Sequence, residues 1–278
     1  MTLRLEGVSK IFYDRKSGRG VVALNDVNLE IENNEFLVII GPSGCGKSTI
    51  INLVAGFDRP TQGKVLMNGD SIIGPSPDRG VVFQDHSLFP WMTSRENVEF
   101  GLGSNGIKPA RRREICDRYL EMVGLLDFSE ARPNELSGGM RQKLAVIRTL
   151  ALNPDILLMD EPFGSLDEGT RRKMDLDLLN IWRRERKTVI FVTHNLEEAV
   201  MLGDRVVLMS SHPGTILSEW RIHGGHPRDP MAPCMCEIKR EISSKLAVNC
   251  DEKELKDHQG AYQEASSPIS TAGGIYER

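Results

Sequence analysis

Three features of the chain predict an α/β fold built around a parallel sheet. Phe36–Ile40, Ile156–Met159 and Thr188–Val192 are short runs apolar on both faces, as strands covered from both sides must be. Stretches of helical periodicity alternate with these runs along most of the chain. The first run also leads directly into a glycine-rich loop followed by a helical stretch.

That loop is Gly41-Pro42-Ser43-Gly44-Cys45-Gly46-Lys47-Ser48-Thr49, and it continues into Ile50–Ala55. Strand, loop and helix in this order make the pattern G-x-x-x-x-G-K-[ST] a phosphate-binding loop. Glycines let successive backbone N–H groups turn toward a triphosphate with no Cβ in the way. The helix opening at Lys47 adds its N-terminal partial positive charge. Lys47 is expected at the β- and γ-phosphates, with the Ser48 hydroxyl on Mg²⁺.

Ahead of the loop, Thr2–Val8 alternates in the manner of an edge strand, and Leu24–Ile31 does so more clearly. Asp14–Gly20 between them is a polar loop. Phe12, just before it, either stacks on an adenine or covers core, and Tyr13 leans toward the second role. Asp58–Gly63 is a turn, and Lys64–Gly69 is a short strand ending in a hairpin-like Asn68-Gly69. Gly80–Gln84 reads as a buried strand delivering Gln84 toward Mg²⁺ or an attacking water.

From Ser87 to Asn153 the strand signals fade. Leu88–Met92 is an apolar, aromatic loop, and Arg95–Leu102 and Ala110–Val123 read as helices, the latter carrying Ile115, Tyr119 and Met122. Ser137 caps a further helix whose apolar stripe is Met140, Leu144, Ile147 and Ala151. Ser137-Gly138-Gly139 is therefore a second helix N-terminus suited to an anion. The expected organisation is a nucleotide-binding core split between 1–87 and 154–222, a helical subdomain at 88–153, and an extension at 223–278.

The core resumes in an apolar strand ending at Asp160 and Glu161, on the rim where the phosphate loop also lies. Asp160 is expected to hold Mg²⁺, and Glu161 to orient and deprotonate the attacking water. Ser165-Leu166-Asp167 opens a helix containing Met174, Leu178 and Ile181. His194 ends another core strand, placed to contact the γ-phosphate and the water. Arg205–Met209 and Gly214–Ser218 finish the sheet. Glu237–Leu246 is expected to form an amphipathic helix, and the polar segment Asp251–Arg278 is expected to have little fixed structure.

A net charge of −4 with 27% charged residues argues against a general attraction to nucleic acid or anionic lipid. No apolar run is long enough to span a bilayer, and Met1–Glu6 lacks the pattern of a signal peptide, so a cytoplasmic location is expected. Five cysteines are an odd number, and disulfides are not expected. Cys234 and Cys236, with Cys250, His223 and His226, match no standard zinc spacing. Cys45, beside Lys47 and a helix N-terminus, is expected to favour its thiolate, so that its alkylation blocks ATP turnover.

Gly41–Thr49, Gln84, Leu136–Gln142, Ile156–Glu161, Ser165–Asp167 and His194 stand in the order that resembles ATP-binding cassette (ABC) transporter ATPase subunits. The resemblance covers residues 1 to about 222. It implies a P-loop NTPase (RecA-like) core of α/β class, with an antiparallel β subdomain and an inserted helical subdomain. It further implies a head-to-tail pair of cassettes, in which Ser137 and Gly139 of one copy bind the γ-phosphate held by the other. Gly138 and Asp167 join the nucleotide site in that arrangement, and ATP and Mg²⁺ are the cofactors.

Pro75–Gly80, Val81–Gln84, Leu88–Thr93 and His226-Pro227-Arg228-Asp229 are similar to the nitrate/sulfonate/taurine importer branch. That branch implies a separate membrane permease, docked at Gln84–Trp91, an extracytoplasmic solute-binding protein, and a peripheral position on the cytoplasmic face of the membrane. Lys143 and Leu144–Leu150 depart from the usual form of the branch, and the segment after Asp229 has no counterpart in it. Readings that compete are a cassette for another solute, an exporter cassette, and a soluble ABC ATPase acting in DNA repair or translation.

Overall fold

The computed structural model describes residues 2–14, 18–83, 87–164 and 166–248. Gln84, Ser165, Cys250 and the polar segment 251–278 lie outside the described residues. Two sheets and seven helices carry the architecture among them. The larger sheet has the order β10-β9-β3-β8-β7-β6, formed from β3 (Phe36–Ile40), β6 (Arg79–Val82), β7 (Ile156–Asp160), β8 (Thr188–Thr193), β9 (Arg205–Met209) and β10 (Ile216–Arg221). Every pairing in it is parallel except β10 with β9.

Alternation along the strands sends side chains to two separate cores. In β3, Leu37 and Ile39 face one way, into a layer with Ile50, Leu53 and Val54 of helix α1 (Lys47–Ala55). Phe36, Val38 and Ile40 face the other way, onto the helices of the opposite side. These include α4 (Gly138–Leu150), α5 (Glu168–Glu185) and α6 (Leu196–Leu202). Both faces of β3 and β8 are fully covered, which is why these strands read as unbroken apolar runs.

The smaller sheet is antiparallel, in the order β2-β1-β4-β5, from β1 (Leu3–Tyr13), β2 (Gly20–Ile31), β4 (Gln62–Met67) and β5 (Asp70–Ser71). Its inner face supplies Leu3, Leu5, Leu29 and Val65 to the core shared with α1. β1 lies between β2 and β4, so it is an interior strand rather than the edge strand its alternation suggested. One-faced burial produces that alternation wherever a strand sits in an antiparallel sheet. Conversely β6, which reads as a buried strand, is at the edge of the large sheet, and only Val82 of its residues is buried. Asn68 and Gly69 both have positive φ, as a two-residue hairpin between β4 and β5 requires.

Helices α2 (Ser94–Ser104) and α3 (Pro109–Met122) stand beside α4. A reciprocal capping box between Thr93 and Glu96 starts α2. Tyr119 on α3 is buried and its hydroxyl donates to the Leu150 carbonyl at 3.2 Å.

Past β10 the chain folds back on the core, and its last described segment is helix α7 at residues 233–248. Ile242 and Met235 enter the same core as β3 and α5, with Ile238 and Leu246 packed against it. Buried Arg228 donates to the carbonyls of Gly203 (2.8 Å) and Ile222 (2.9 Å), which fastens the segment before α7. Residues 223–248 are therefore an integral layer of the helical side. We predict that Ile242→Ala lowers unfolding free energy by about 2–5 kcal/mol, measured by urea denaturation. A change under about 0.5 kcal/mol would mean that α7 is not part of the cooperative fold.

Candidate functional site

Parallel register sets the site. Ile40 of β3 pairs with Thr193 of β8, and Val192 of β8 pairs with Asp160 of β7. Three neighbouring strands thus end at one level, and the turns that follow them all open on the same rim. Two strand spacings, about 10 Å, separate the start of the glycine loop from Asp160.

Within the loop, Gly46 precedes α1 with φ of +97°, and a Cβ there would lie 2.6 Å from Leu24 Cδ2. Both the left-handed backbone and the closeness of β2 demand glycine. At Gly41, a Cβ would meet Cys45 Sγ at 2.8 Å. Lys47 is buried, and its ammonium donates to the carbonyls of Gly41 and Pro42, each at 2.9 Å. Its charge is thereby held under the loop's own backbone.

The Ser48 hydroxyl hydrogen-bonds Asp160 at the end of β7. Burial raises the Asp160 carboxyl above the usual carboxylate range, the Ser48 hydrogen bond lowers it, Glu161 raises it further and Lys47 lowers it. A hydroxyl and a carboxylate meeting at this rim form the hard-oxygen donor set that suits Mg²⁺.

Glu161 directly after Asp160 has φ of +44°, unusual for a residue with a Cβ. Such a backbone costs on the order of 1 kcal/mol, and it persists here because the Glu161 N–H is held by the Val192 carbonyl at 3.0 Å. The turn sends Glu161 away from Asp160 and toward β8, where Oε2 lies 3.0 Å from Nδ1 of the exposed His194. The rim thus brings together Lys47, Ser48, Asp160, Glu161 and His194.

Other sequence-identified positions have different neighbours. Ser137 caps α4 by accepting from the Met140 N–H at 3.3 Å, and it is exposed. Gly138 and Gly139 pack near Leu166 and Thr170 at the start of α5. Asp167 caps α5, accepting from the Thr170 N–H at 3.0 Å, and this hydrogen bond holds its carboxyl below the ordinary range. Phe12 is 45% exposed, so its ring does not cover core, and the Lys10 ammonium sits 5.0 Å from its centroid.

Cys45 corrects an expectation. It is buried, and desolvation pushes its thiol up, outweighing the opposing effects of Lys47 and of neighbouring amides. The thiolate is disfavoured rather than favoured, and Sγ packs into the core beneath the loop.

Sequence reading missed α6 and the polar group behind the rim. Asn195 caps α6, accepting from the N–H of Glu197 (2.8 Å) and Glu198 (3.4 Å). Asn195 followed by Leu-Glu-Glu-Ala is a helix-start signal that could have found it. Glu198 and Asp175 are both buried, and nothing local in the sequence indicates it.

A second surface opens around the edge strand β6. Phe57, Val81, Phe83, Phe89, Phe100 and Leu152 line a cavity of about 450 Å³ there. Phe89 packs on Phe100 (4.7 Å between centroids) and on Trp91 (5.7 Å), while Trp91 itself is 67% exposed.

A phosphate loop, an Asp-Glu strand end and a histidine on one parallel rim define a P-loop ATPase. The chain belongs to the ABC transporter family, which residues 24–164 match. It is 48% identical to an uncharacterised ABC transporter ATP-binding protein of Methanocaldococcus jannaschii, covering 88% of this chain and 91% of that one. It is 46% identical to the nitrate import ATP-binding protein of Synechocystis (87% and 90% covered). It is 47% identical to the taurine import ATP-binding protein of Roseobacter denitrificans (88% and 85%). A solved dimeric ATP-binding cassette, in a post-hydrolysis state bound to ADP and Pi, superposes with a TM-score of 0.69 at 33% identity, covering 80% of this chain and all of that one.

Burial, reinforced by Glu198 and opposed by Arg171, pushes Asp175 up to about 8. The folded chain then holds this proton more tightly than the unfolded chain does. Its contribution to stability is fully present below the unfolded pKa near 4 and is lost as pH rises toward about 8. Relative to Asp175→Asn, the wild-type chain should lose on the order of 3 kcal/mol between pH 5 and pH 8, read from urea midpoints. Parallel pH profiles for the two proteins would refute this.

Proposed function

We propose that this chain is the ATP-hydrolysing subunit of an ABC importer for a small oxyanion or sulfonate-type solute. The observation that carries the reading is the shared rim of β3, β8 and β7, with Lys47, Ser48, Asp160, Glu161 and His194 converging on it. The nitrate and taurine import relatives support the solute class.

In the proposed mechanism, backbone N–H groups of the loop Gly41–Thr49, other than Pro42, which has none, cradle the β- and γ-phosphates. Lys47 turns its ammonium from the loop carbonyls to those oxygens. Phe12 stacks on the adenine. Ser48 and Asp160, with Gln84, would hold Mg²⁺, which would supply positive charge to offset that on the phosphate oxygens. Glu161 accepts the proton of the attacking water, and His194 fixes that carboxylate while touching the γ-phosphate.

The solved dimeric cassette supports a second copy as partner. The exposed Ser137 cap, with Gly138 and Gly139, presents a helix N-terminus to the triphosphate held by that copy, and Asp167 lies at the same seam. ATP then closes the pair and hydrolysis opens it. In this organisation 1–87 and 154–222 act as the nucleotide-binding core, and 88–153 transmits the movement. The aromatic cavity at Phe89–Trp91 takes a cytoplasmic segment of a membrane permease. No helix among the described residues is long and apolar enough to cross a membrane, and attachment to that permease puts the chain at the cytoplasmic face. An extracytoplasmic binding protein delivers the solute to the permease.

Glu161→Gln should reduce turnover by about 10²–10⁴-fold while keeping ATP affinity, and should accumulate an ATP-bound dimer on size exclusion. Wild-type hydrolysis in that variant would remove Glu161 as the base. Ser137→Arg should abolish turnover yet leave nucleotide binding to the monomer intact. Normal turnover with that substitution would show that the cap serves no neighbouring site.

A further inference from the structure

Behind the rim, a buried polar group joins the two turns that carry Glu161 and His194. Arg171, in the first turns of α5, donates from Nη2 to the Leu166 carbonyl at 2.9 Å and from Nε to the Phe163 carbonyl at 3.3 Å. Both carbonyls belong to the turn that begins at Glu161, whose own carbonyl accepts the Gly164 N–H at 3.1 Å. The same Nε lies 3.6 Å from Oε1 of Glu198 on α6.

Glu198 grips the other turn. Its Oε2 accepts a hydrogen bond from the Thr193 hydroxyl, immediately before His194. Thr193 Oγ1 in turn accepts the Asn195 N–H at 3.0 Å, immediately after His194. His194 is therefore held at both flanking residues by one hydroxyl, and that hydroxyl is held by Glu198. Thr193 and Glu198 are both buried, while His194 is exposed. A buried mounting thus supports an exposed side chain whose Nδ1 meets Glu161 Oε2 at 3.0 Å.

We propose that Arg171 and Glu198 are positioning residues for ATP hydrolysis, a brace that sets the Glu161 turn against the His194 turn. The inference rests on the roles proposed for Glu161 and His194. A brace is needed because the two turns leave different strands, β7 and β8, and the backbone hydrogen bond from Glu161 to Val192 is the contact that already spans them. Fixing the general base against its partner is a matter of fractions of an ångström, and a misplacement of about 1 Å can cost on the order of 10²-fold in rate. Neither Arg171 nor Glu198 need touch nucleotide to have this effect.

Buried Asp175, one helical turn beyond Arg171, completes the group. Its Oδ1 has no hydrogen-bond partner among the described residues. Burial keeps the proton on Asp175, so this carboxyl brings no full negative charge beside Arg171, while burial also raises Glu198 against the lowering effects of the Thr193 hydrogen bond and Arg171. The pairing at Glu198 is thus protected from a rival.

The test uses the full chain, with steady-state ATP hydrolysis, nucleotide affinity by fluorescent ATP analogue, thermal melting, and the His194 imidazole resonances assigned by difference against His194→Ala. Glu198→Gln keeps the size of the side chain and removes its charge. Arg171→Lys keeps the charge but cannot span both carbonyls and Glu198. Each should lower kcat by about tenfold or more while KM for ATP stays within about twofold, and each should move the His194 resonances. The double variant should be no worse than the more impaired single one, since one brace is broken in all three.

Turnover at the wild-type rate with unmoved His194 resonances would overturn the proposal. So would a loss that follows only the fraction unfolded, or one divided equally between kcat and KM. Failure of the underlying functional reading has a different signature: wild-type chain would not hydrolyse ATP, or Glu161→Gln would be as active as wild type. The His194 resonances still decide for or against the brace in that case.

Discussion

Ile40 beside Thr193 and Val192 beside Asp160 are ordinary ladder pairs, yet every chemical group at the rim depends on them. Parallel strands in register end together, so the loops that leave them share one surface. A slip of one residue in β8 would exchange the two faces of that strand, sending Ile190 and Val192 into the wrong core. Such a slip would also carry His194 away from Glu161. Packing on both faces of the sheet is thus what keeps the chemistry aligned.

Charge at the rim is distributed to suit a highly anionic ligand. Lys47 and the amides of the helix start supply positive potential on the β3 side. Asp160 and Glu161 place two carboxyls on the β7 side, one bound to the Ser48 hydroxyl and the other to His194. The positive φ at Glu161 turns these adjacent acids in different directions. Straight continuation of the strand would put successive side chains on opposite faces, with Glu161 pointing into the sheet's other covering layer.

Much of this could be read from residue order. The apolar runs Phe36–Ile40, Ile156–Met159 and Thr188–Val192 are strands because both of their faces are buried, and burial on both faces requires unbroken apolarity. Capping by Ser137 was equally legible, since a helix start exposes N–H groups that a short oxygen side chain satisfies locally. The reading failed where the outcome depends on distant neighbours. Alternation could not distinguish the interior strand β1 from an edge strand, and Gly80–Val82 carries the same apolar pattern at an edge as it would at the centre.

Sequence by itself determined where the glycine loop, the adjacent acids at the strand end and the Ser137 helix cap fall along the chain, because each is a local pattern of neighbouring residues. Tertiary structure alone decided that Cys45 is a core residue with a suppressed thiolate, that the segment before α7 is bolted to the core by Arg228, and that Arg171, Glu198 and Thr193 meet behind His194. Burial and long-range ion pairing are properties of what the fold brings near a residue, and a chain of letters records only what is bonded to it.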